Sequence, residues 1–378
     1  MTGTTTSPQN LYKVALSMLR GGSLPLLHNL DQRGISLTEF FTMSDHSLSG
    51  IFGPGRLDGI DAASRQKALI QAENELKFTS AHKIRPIFIT DEDYPLRLAQ
   101  IEQPPLLIYL LGAANLNSPH PLSVVGTRKV TPYGAEATRR LTREIAEYFP
   151  DDLLVVSGLA YGVDSIAHST ALECNVPTVG VLAHGLDTIY PSQHRDLARR
   201  IIEAGGALIT QYPSGVRPFR SNFLERNRIV AGISDATIVI ESEMKGGAMS
   251  TARHAFEANR DLFALPGRAG DPMSAGCNHL IRKQRASLIT TAADLLEVTG
   301  WKPMGIAVRP EHRSLFPELE GDAATIYEYL RFESEPRHID IIYHFTGISM
   351  ARLMSLLSDL EFDGVLVRHP GNRFAVAL

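Results

Sequence analysis

The sequence predicts an α/β protein built around a doubly wound, mostly parallel sheet. The main observation is that residues 115–300 alternate short apolar runs with helical stretches, a pattern that implies right-handed βαβ crossovers. Before this region, residues 8–84 carry apolar side chains at helical spacing. After it, residues 320–378 contain three helical runs and two β-like runs, the outline of a winged helix. We therefore expect a helical domain, a central α/β domain and a small C-terminal domain.

The composition is that of an ordinary globular protein. The chain has 378 residues, of which 44% are hydrophobic and 21% charged, and a formal net charge of -4; these values suit two or three domains. It contains no apolar run long enough to span a membrane and no basic start followed by an apolar block. We therefore expect neither a transmembrane helix nor a secretory signal, and a cytoplasmic location.

Cysteine and histidine usage gives no sign of a metal or disulfide framework. Cys174 and Cys277 lack a CxxC spacing, and Cys174 falls on the apolar face of a predicted helix, which favours a buried structural thiol. The thirteen histidines show no metal-ligand spacing. We expect no metal.

The region before the central domain has two parts. Gly53-Pro54-Gly55 divides the helical domain and is faintly similar to the turn of a helix-hairpin-helix, but a helical packing module is the favoured interpretation. Residues 85–114 contain several prolines and only short apolar runs. We expect them to form an extended connector that packs on the central domain.

The central domain alternates predicted strands and helices with some regularity. The predicted strands are Leu122–Val125, Leu153–Ser157, Thr178–Leu182, Ala207–Thr210, Ala236–Ile240, Leu262–Leu265 and Ser287–Ile289. The predicted helices cover residues 134–148, 163–174, 193–204, 221–232, 248–259 and 276–284. In such a fold, ligands bind at the carboxyl ends of the strands, where the strand order reverses.

The loops after these strands carry glycine but no known nucleotide fingerprint. Gly126-Thr127-Arg128, the segment from Ser157 to Asp164, and Lys245-Gly246-Gly247 each follow a predicted strand. None has the form GxGxxG or GxxxxGK[ST], so we expect no nucleotide cofactor. Ser157 and Ser250 lack a GxSxG elbow. Asp164 is expected to cap a helix and Glu241 to pair with a cation, which favours a protein without catalysis.

A basic cluster lies in the segment between the fourth and fifth of these strands. Arg217, Arg220, Arg226 and Arg228 are opposed there only by Glu225. A helix over residues 221–232 would place Arg220, Phe223 and Asn227 on one face, with Arg226 and Arg228 flanking it. A cation, a ring and an amide on one surface suit an unstacked nucleotide. The alternative is that Phe223 belongs to the core and the arginines form a solvated helix face.

The C-terminal region begins with a predicted linker, residues 301–319, and continues as the winged-helix-like domain, residues 320–378. The third helix of this domain offers only Arg352 as a cation, against Asp359, Glu361 and Asp363. A helix that enters a major groove normally carries more positive charge, so we expect packing or protein contact here rather than duplex recognition.

Taken together, several motifs closely resemble the DNA processing protein A (DprA/Smf) family. They are VGTRKVTPYG, SGLAYGVDSIAH, LAHGLDTIYPSQHRDL, ALITQYPSGVRPFRSNFLERNRIVAGISDATIVIE, GGAMSTARHAFEANRDLFALPG and GCNHLIR, within residues 85–300. The resemblance implies an extended Rossmann-like domain that binds and protects single-stranded DNA, helps to load the RecA recombinase in natural transformation, and forms a homodimer. It also implies a sterile-alpha-motif-like (SAM-like) N-terminal domain and a C-terminal winged helix.

The family's motifs assign roles to particular residues. Arg128 matches a phosphate-binding arginine, Arg220 a basic position before the helix, and Phe223 the stacking aromatic, whereas Thr127 replaces a usual serine and Leu224 a common proline. With the charged and glycine positions above, the predicted DNA-binding residues are Gly126, Thr127, Arg128, Gly158, Gly162, Arg217, Arg220, Phe223, Arg226, Asn227, Arg228, Lys245, Gly246 and Gly247.

Two alternative functions remain open at this stage. The GGAMST run is distantly similar to the PGGxGT loop of lysine-decarboxylase-like nucleotide phosphoribohydrolases, although Lys245 stands where that loop has proline. The protein could also be a scaffold whose main contacts are with other proteins.

Overall fold

A computed structural model describes residues 8–53, 57, 59–303, 319, 321–332, 336–362, 365–369 and 371–376. The chain divides into two compact units between Lys302 and Pro303.

The first unit begins with five helices. They are α1 (Pro8–Met18), α2 (Leu24–Gln32), α3 (Leu37–Thr42), α4 (Asp45–Phe52) and α5 (Ala62–Ala81). Buried Arg65 links three of them, since it donates hydrogen bonds to the Phe40 carbonyl and, at 2.7 Å, to the Asp45 carboxylate. The predicted helical domain is thus helical; its likeness to a SAM domain stays a prediction, and Pro54 and Gly55 of the predicted glycine turn lie outside the described residues.

Residues 85–112 are more regular than the predicted connector. They form strand β1 (Arg85–Phe88), the short helix α6 (Leu96–Ala99) and strand β2 (Leu107–Gly112). Strand β1 pairs with β2, and β2 pairs with a strand of the central domain, both in antiparallel fashion. Prolines had suggested a connector, but Pro86 lies in an edge strand, where a missing N–H is tolerated. Phe88 and Tyr109 pack on the N-terminal helices, so helices and sheet share a core.

The central domain supplies the remaining strands of the sheet. These are β3 (His120–Val125), β4 (Leu153–Ser157), β5 (Thr178–Val181), β6 (Ala207–Thr210), β7 (Ala236–Val239), β8 (Asp261–Ala264) and β9 (Ser287–Leu288). The helices are α7 (Pro132–Tyr148), α8 (Val163–Glu173), α9 (Arg195–Glu203), α10 (Arg220–Ile233), α11 (Gly247–Glu257), α12 (Ala275–Arg282) and α13 (Ala292–Thr299), with a 3₁₀ turn over Ser192–His194.

The strand order confirms the predicted doubly wound sheet. It runs β1-β2-β6-β5-β4-β3-β7-β8-β9, and β3 to β9 are all parallel. The chain moves outward from β3 to β6, returns to β7 beside β3, and continues outward on the other side. The order therefore reverses between β3 and β7, and a crevice at their carboxyl ends is the expected ligand position.

The second unit is a winged helix, as predicted. Its helices are α14 (Gly321–Arg331), α15 (Ile339–Thr346) and α16 (Met350–Phe362), and its strands are β10 (Arg337–His338), β11 (Leu366–His369) and β12 (Arg373–Val376). The strands form an antiparallel sheet in the order β10-β12-β11. Arg352 of α16 forms an ion pair with Asp322 at 2.9 Å.

Most of the predicted linker, residues 304–318, lies outside the described residues. Its first residue, Trp301, packs on the central domain, with its ring centroid 4.6 Å from His120 and 5.6 Å from Phe149. Within the described ranges, no helix combines the length and apolarity needed to cross a membrane.

Candidate functional site

The loops that follow β3 to β8 form one edge of the sheet, which we call the carboxyl edge. Hydrogen bonds join three of these loops at the point where the strand order reverses. The Thr127 amide donates to the Glu241 carbonyl at 2.7 Å, and the Val163 amide donates to the Thr127 carbonyl at 3.3 Å. The loops after β3, β4 and β7 are therefore fixed relative to one another.

Most of the predicted glycines serve this loop packing. A Cβ at Gly126 would clash with Val163, at Gly158 with the Arg226 guanidinium, at Gly162 with the backbone of the β3 loop, and at Gly246 with the Ser242 hydroxyl. Only at Gly247, among these five, does a Cβ meet open space. Four of the five glycines are therefore required by the protein's own contacts, and the expectation that they admit a ligand backbone stays a prediction.

Arg226 is a buried structural cation and does not lie on the predicted surface. Its side chain is 4% exposed, and Nη1 donates to the Gly158 carbonyl at 2.6 Å and to the Val181 carbonyl, at the ends of β4 and β5. Burial lowers the pKa of Arg226 to about 10, while the negative charge of nearby Asp164 opposes that shift. Among the described residues its Nε is buried without a hydrogen-bond partner. Because the side chain is buried, Arg226 does not lie on the surface predicted to contact DNA.

The next two residues also hold loops in place. Asn227 is buried, and its Nδ2 donates to the Gly247 carbonyl at 3.2 Å. Arg228 is half-buried and donates to the Gln103 carbonyl and, at 2.5 Å, to the Gln211 side chain. These donors contact the protein itself, and a contact of Asn227 or Arg228 with DNA stays a prediction.

Four other predicted cations remain free at the carboxyl edge. Arg128, Arg217, Arg220 and Lys245 are exposed. Within the part of the chain that the structure describes, their charged groups form no hydrogen bond or ion pair. Free cations at one edge of an otherwise acidic protein form a local anion-binding surface.

Phe223 lies at the boundary between this surface and the interior. Its ring is half-buried, with the Arg128 guanidinium carbon 5.1 Å and the Arg226 guanidinium carbon 5.9 Å from the ring centroid. The alternative that Phe223 is an ordinary core residue is therefore not supported. Helix α10 begins at Arg220, one residue before the predicted start, and Leu224 is 50% exposed.

Two exposed rings at the same edge were missed by the sequence reasoning. Tyr190, which follows β5, is 45% exposed, and Tyr161, which follows β4, is 41% exposed. Tyr161 lies within the motif SGLAYGVDSIAH, and Tyr190 lies within LAHGLDTIYPSQHRDL. A search for aromatic residues in strand-end loops would have found them.

The two candidate acids have structural partners. The Asp164 carboxylate accepts from the Gly158 amide at 3.2 Å and the Ala160 amide at 3.3 Å, and burial raises its pKa. Glu241 does not pair with a cation as expected. It accepts from the Thr131 amide at 2.9 Å and the Thr131 hydroxyl at 2.5 Å, next to the start of α7.

The thiols and metal-ligating side chains add no further site. Cys277 is buried, whereas Cys174 is half-buried rather than fully buried as expected. Among the residues that the structure describes, no group of three or more His, Cys, Asp or Glu side chains could hold a metal ion.

Comparison with protein families and known sequences gives a consistent result. The family described as DNA recombination-mediator protein A matches residues 85–300, and the DprA winged helix domain matches residues 310–372. Protein Smf of Escherichia coli K12 is 34% identical over 281 residues, covering 74% of each chain. Protein Smf of Synechocystis is 31% identical over 402 residues, covering 97% of this chain and 98% of that protein.

Solved structures resemble the fold described above. DNA processing protein A from Streptococcus pneumoniae superposes with a TM-score of 0.62 at 29% identity, covering 76% of this chain and 96% of that one. DNA processing protein A from Helicobacter pylori gives a TM-score of 0.51 at 32% identity, covering 58% of this chain and 96% of that one. The H. pylori structure describes a single-stranded DNA binding mode of that protein.

Proposed function

The chain belongs to the family of DNA recombination-mediator protein A, and on this basis we propose that it binds single-stranded DNA along the carboxyl edge of its central sheet. The observation that carries the proposal is the contact between Arg128 and Phe223, whose guanidinium carbon and ring centroid are 5.1 Å apart. Arg128 comes from the loop after β3 and Phe223 from the first turn of α10, and the fold brings a cation and an aromatic ring together at an accessible edge.

The chemistry of this edge matches an unpaired nucleic acid. The exposed guanidinium and ammonium groups would hold phosphates, and the Phe223 ring would stack on a base. Gly247, where a Cβ would meet open space, begins α11, so the first amides of that helix would face a phosphate. These contacts are insensitive to base identity, so we expect little sequence preference.

We propose that binding involves no bond-making step. The two acids considered as catalysts, Asp164 and Glu241, are 7% and 1% exposed, and both accept hydrogen bonds from backbone amides. No feature of the described residues specifically favours the phosphoribohydrolase alternative.

A homodimer formed through the Rossmann-like domain is part of the proposal. At the β9 end of the sheet, Phe256 and Val298 line one shallow depression and are 49% and 47% exposed. Strand β9 has only two residues and is the edge strand at this end of the sheet. A second copy that packed here would bury both apolar side chains. Sedimentation of wild type and Phe256→Asp tests this, and a monomeric wild type would contradict it.

We propose further that the bound strand is passed to the RecA recombinase, as the family resemblance implies. RecA filament assembly on DNA coated with a single-strand-binding protein, measured with and without this protein, tests that step. An unchanged assembly rate would contradict it, without bearing on DNA binding itself.

DNA binding is tested by fluorescence anisotropy with one labelled oligonucleotide, free or annealed to its complement. The expected result is tighter binding of the single strand, because only unpaired bases can stack on Phe223. Cleavage of nucleoside monophosphates is assayed in parallel. Equal affinity for both DNA forms, or release of free base, would contradict the proposal.

A further inference from the structure

Aromatic contacts continue along the carboxyl edge beyond Phe223. The Tyr190 ring lies edge to face with the Phe223 ring, with centroids 5.9 Å apart and planes inclined at 61°. Tyr190 comes just before the 3₁₀ turn Ser192–His194. On the other side of that turn lies Tyr161, whose ring centroid is 4.9 Å from that of His194.

The turn between the two tyrosines is anchored. The Tyr161 hydroxyl donates to the Gln193 side chain at 2.7 Å, and His194 Nδ1 lies 2.9 Å from the Leu159 carbonyl. A continuous series of contacts thus runs from Phe223, in the first turn of α10, through Tyr190 and the 3₁₀ turn to Tyr161. We call Tyr190 and Tyr161 together the tyrosine track.

The exposure of these rings is not explained by packing. Tyr94 and Tyr109, which do pack in the core, are each 2% exposed, whereas Tyr190 is 45% and Tyr161 41% exposed. Within the described part of the chain, the Tyr190 hydroxyl has no hydrogen-bond partner. Scattered exposed rings are common, but these two continue a contact series that begins at Phe223.

A free cation accompanies the track. Arg195, at the start of α9 directly after the 3₁₀ turn, is exposed and forms no ion pair with any described residue. Its neighbour Arg199, by contrast, is paired with Asp196 at 2.5 Å and Glu203 at 3.0 Å. The track therefore has both a stacking surface and a cation available for a phosphate.

We propose that the tyrosine track is a second base-stacking subsite, which takes the nucleobases that follow the one stacked on Phe223. This inference rests on the proposed function and extends it from a single nucleotide to several consecutive unpaired ones. Tyr190 would hold the adjacent base and Tyr161 the next, with Arg195 contacting the intervening phosphate.

The test is a length series of oligo-dT, from two to ten nucleotides, measured by anisotropy competition. The variants are Tyr190→Ala and Tyr161→Ala, with Tyr190→Phe and Tyr161→Phe as matched controls that keep the ring. We expect each Ala variant to bind the longer oligonucleotides about tenfold more weakly and to stop gaining affinity at a shorter length than wild type. Tyr190→Phe should follow the wild-type series, and Tyr161→Phe, which keeps the ring but loses the hydrogen bond to Gln193, should lose less affinity than Tyr161→Ala. The salt slope should be unchanged, because no charge is removed.

Three outcomes would overturn the inference. Ala variants that bind every length as their Phe counterparts do would show that the rings contact no base. For Tyr161→Ala, an equal loss at every length, dinucleotide included, would indicate structural damage rather than a lost subsite, because a dinucleotide would reach only Phe223 and Tyr190. If the wild type bound no oligonucleotide of any length, the proposed function itself would fail, and the track with it.

Discussion

The start and the middle of helix α10 carry similar polar residues, but these residues differ in exposure and in their hydrogen-bond partners. At the start, the loop residue Arg217 and the first helical residue Arg220 are exposed and unpaired within the described chain. In the middle, Arg226, Asn227 and Arg228 donate to carbonyl groups of three other loops. The difference shows that a dense run of arginines contains two classes of cation. One class is exposed at the edge where we propose that DNA binds, and the other holds that surface in place.

The position of strand ends explains this division. The carboxyl ends of parallel strands present carbonyl oxygens that have no partner within the sheet, and a buried unsatisfied carbonyl is costly. Arg226 satisfies those at the ends of β4 and β5, Gly158 and Val181. The middle of α10 must therefore be rigid, while its start remains free to contact a phosphate.

The largest predicted effect is on Arg226. Removing the Arg226 guanidinium leaves the buried polar groups around it without their charged partner. Arg226→Met should therefore lower the free energy of unfolding by about 3–5 kcal/mol. Urea unfolding measures this, and Arg220→Ala is the matched control from the exposed class, with a change of about 0.5 kcal/mol or less. Similar stabilities for the two variants would remove the distinction between start and middle.

This distinction could not be predicted from sequence. Periodicity placed Arg220, Phe223 and Asn227 on one face correctly, and the structure has them on a helix from Arg220 to Ile233. Periodicity does not indicate, however, how far along that face the interior begins. That depends on the loops after β4 and β7, which come from distant parts of the sequence.

The strands of the central domain and its helices α7 to α12 were predicted within a few residues, because buried parallel strands are short apolar runs bounded by glycine or polar residues. Helix α13 (Ala292–Thr299) was not predicted. Strands β1 and β2 were missed. Strand β1 pairs with β2, and β2 pairs with the distant β6, both in antiparallel fashion. Pro86 and Pro95 interrupt the local pattern. Tyr161 and Tyr190 were missed because a single aromatic in a loop carries no periodic signal.

The second predicted effect concerns the stability in acid that depends on His168, a buried residue of α8. His168 is fully buried beside Thr178, with Nδ1 2.7 Å from its hydroxyl. Burial, together with the positive charges of His194 and Arg226, lowers the pKa of His168 to about 3. The unfolded chain therefore takes up this proton first as the pH falls below about 6.5, and stability is lost between that value and the folded-state pKa.

Between pH 7 and pH 4, this single group should reduce the free energy of unfolding by about 3 kcal/mol. Unfolding of wild type and His168→Gln at both pH values isolates the contribution. The wild type should lose more stability than the variant over this interval. An equal loss would mean that His168 is protonated in the folded protein.

The third prediction concerns Phe223, which lies between the two classes. Phe223→Ala should weaken single-stranded DNA binding by about 1–3 kcal/mol, the usual contribution of a base stacked on an aromatic ring. Phe223→Tyr keeps the ring and should bind nearly as wild type does. Anisotropy at high salt, where phosphate contacts are screened, separates stacking from charge. If the Ala variant bound as tightly as the Tyr variant, Phe223 would not be a stacking residue.

The smallest predicted effect is on the salt dependence of the exposed class. Four phosphate contacts from Arg128, Arg217, Arg220 and Lys245 would give a slope of log affinity against log salt near -3, at about -0.7 per contact on a single strand. Arg128→Ala or Arg220→Ala should therefore weaken binding to all sequences alike and reduce the slope by about 0.7. The matched control is Arg139→Ala on α7, which removes an exposed arginine that is 3.5 Å from Glu136. Because that control removes the same net charge, an identical slope in all three variants would assign the effect to overall charge rather than to the carboxyl edge.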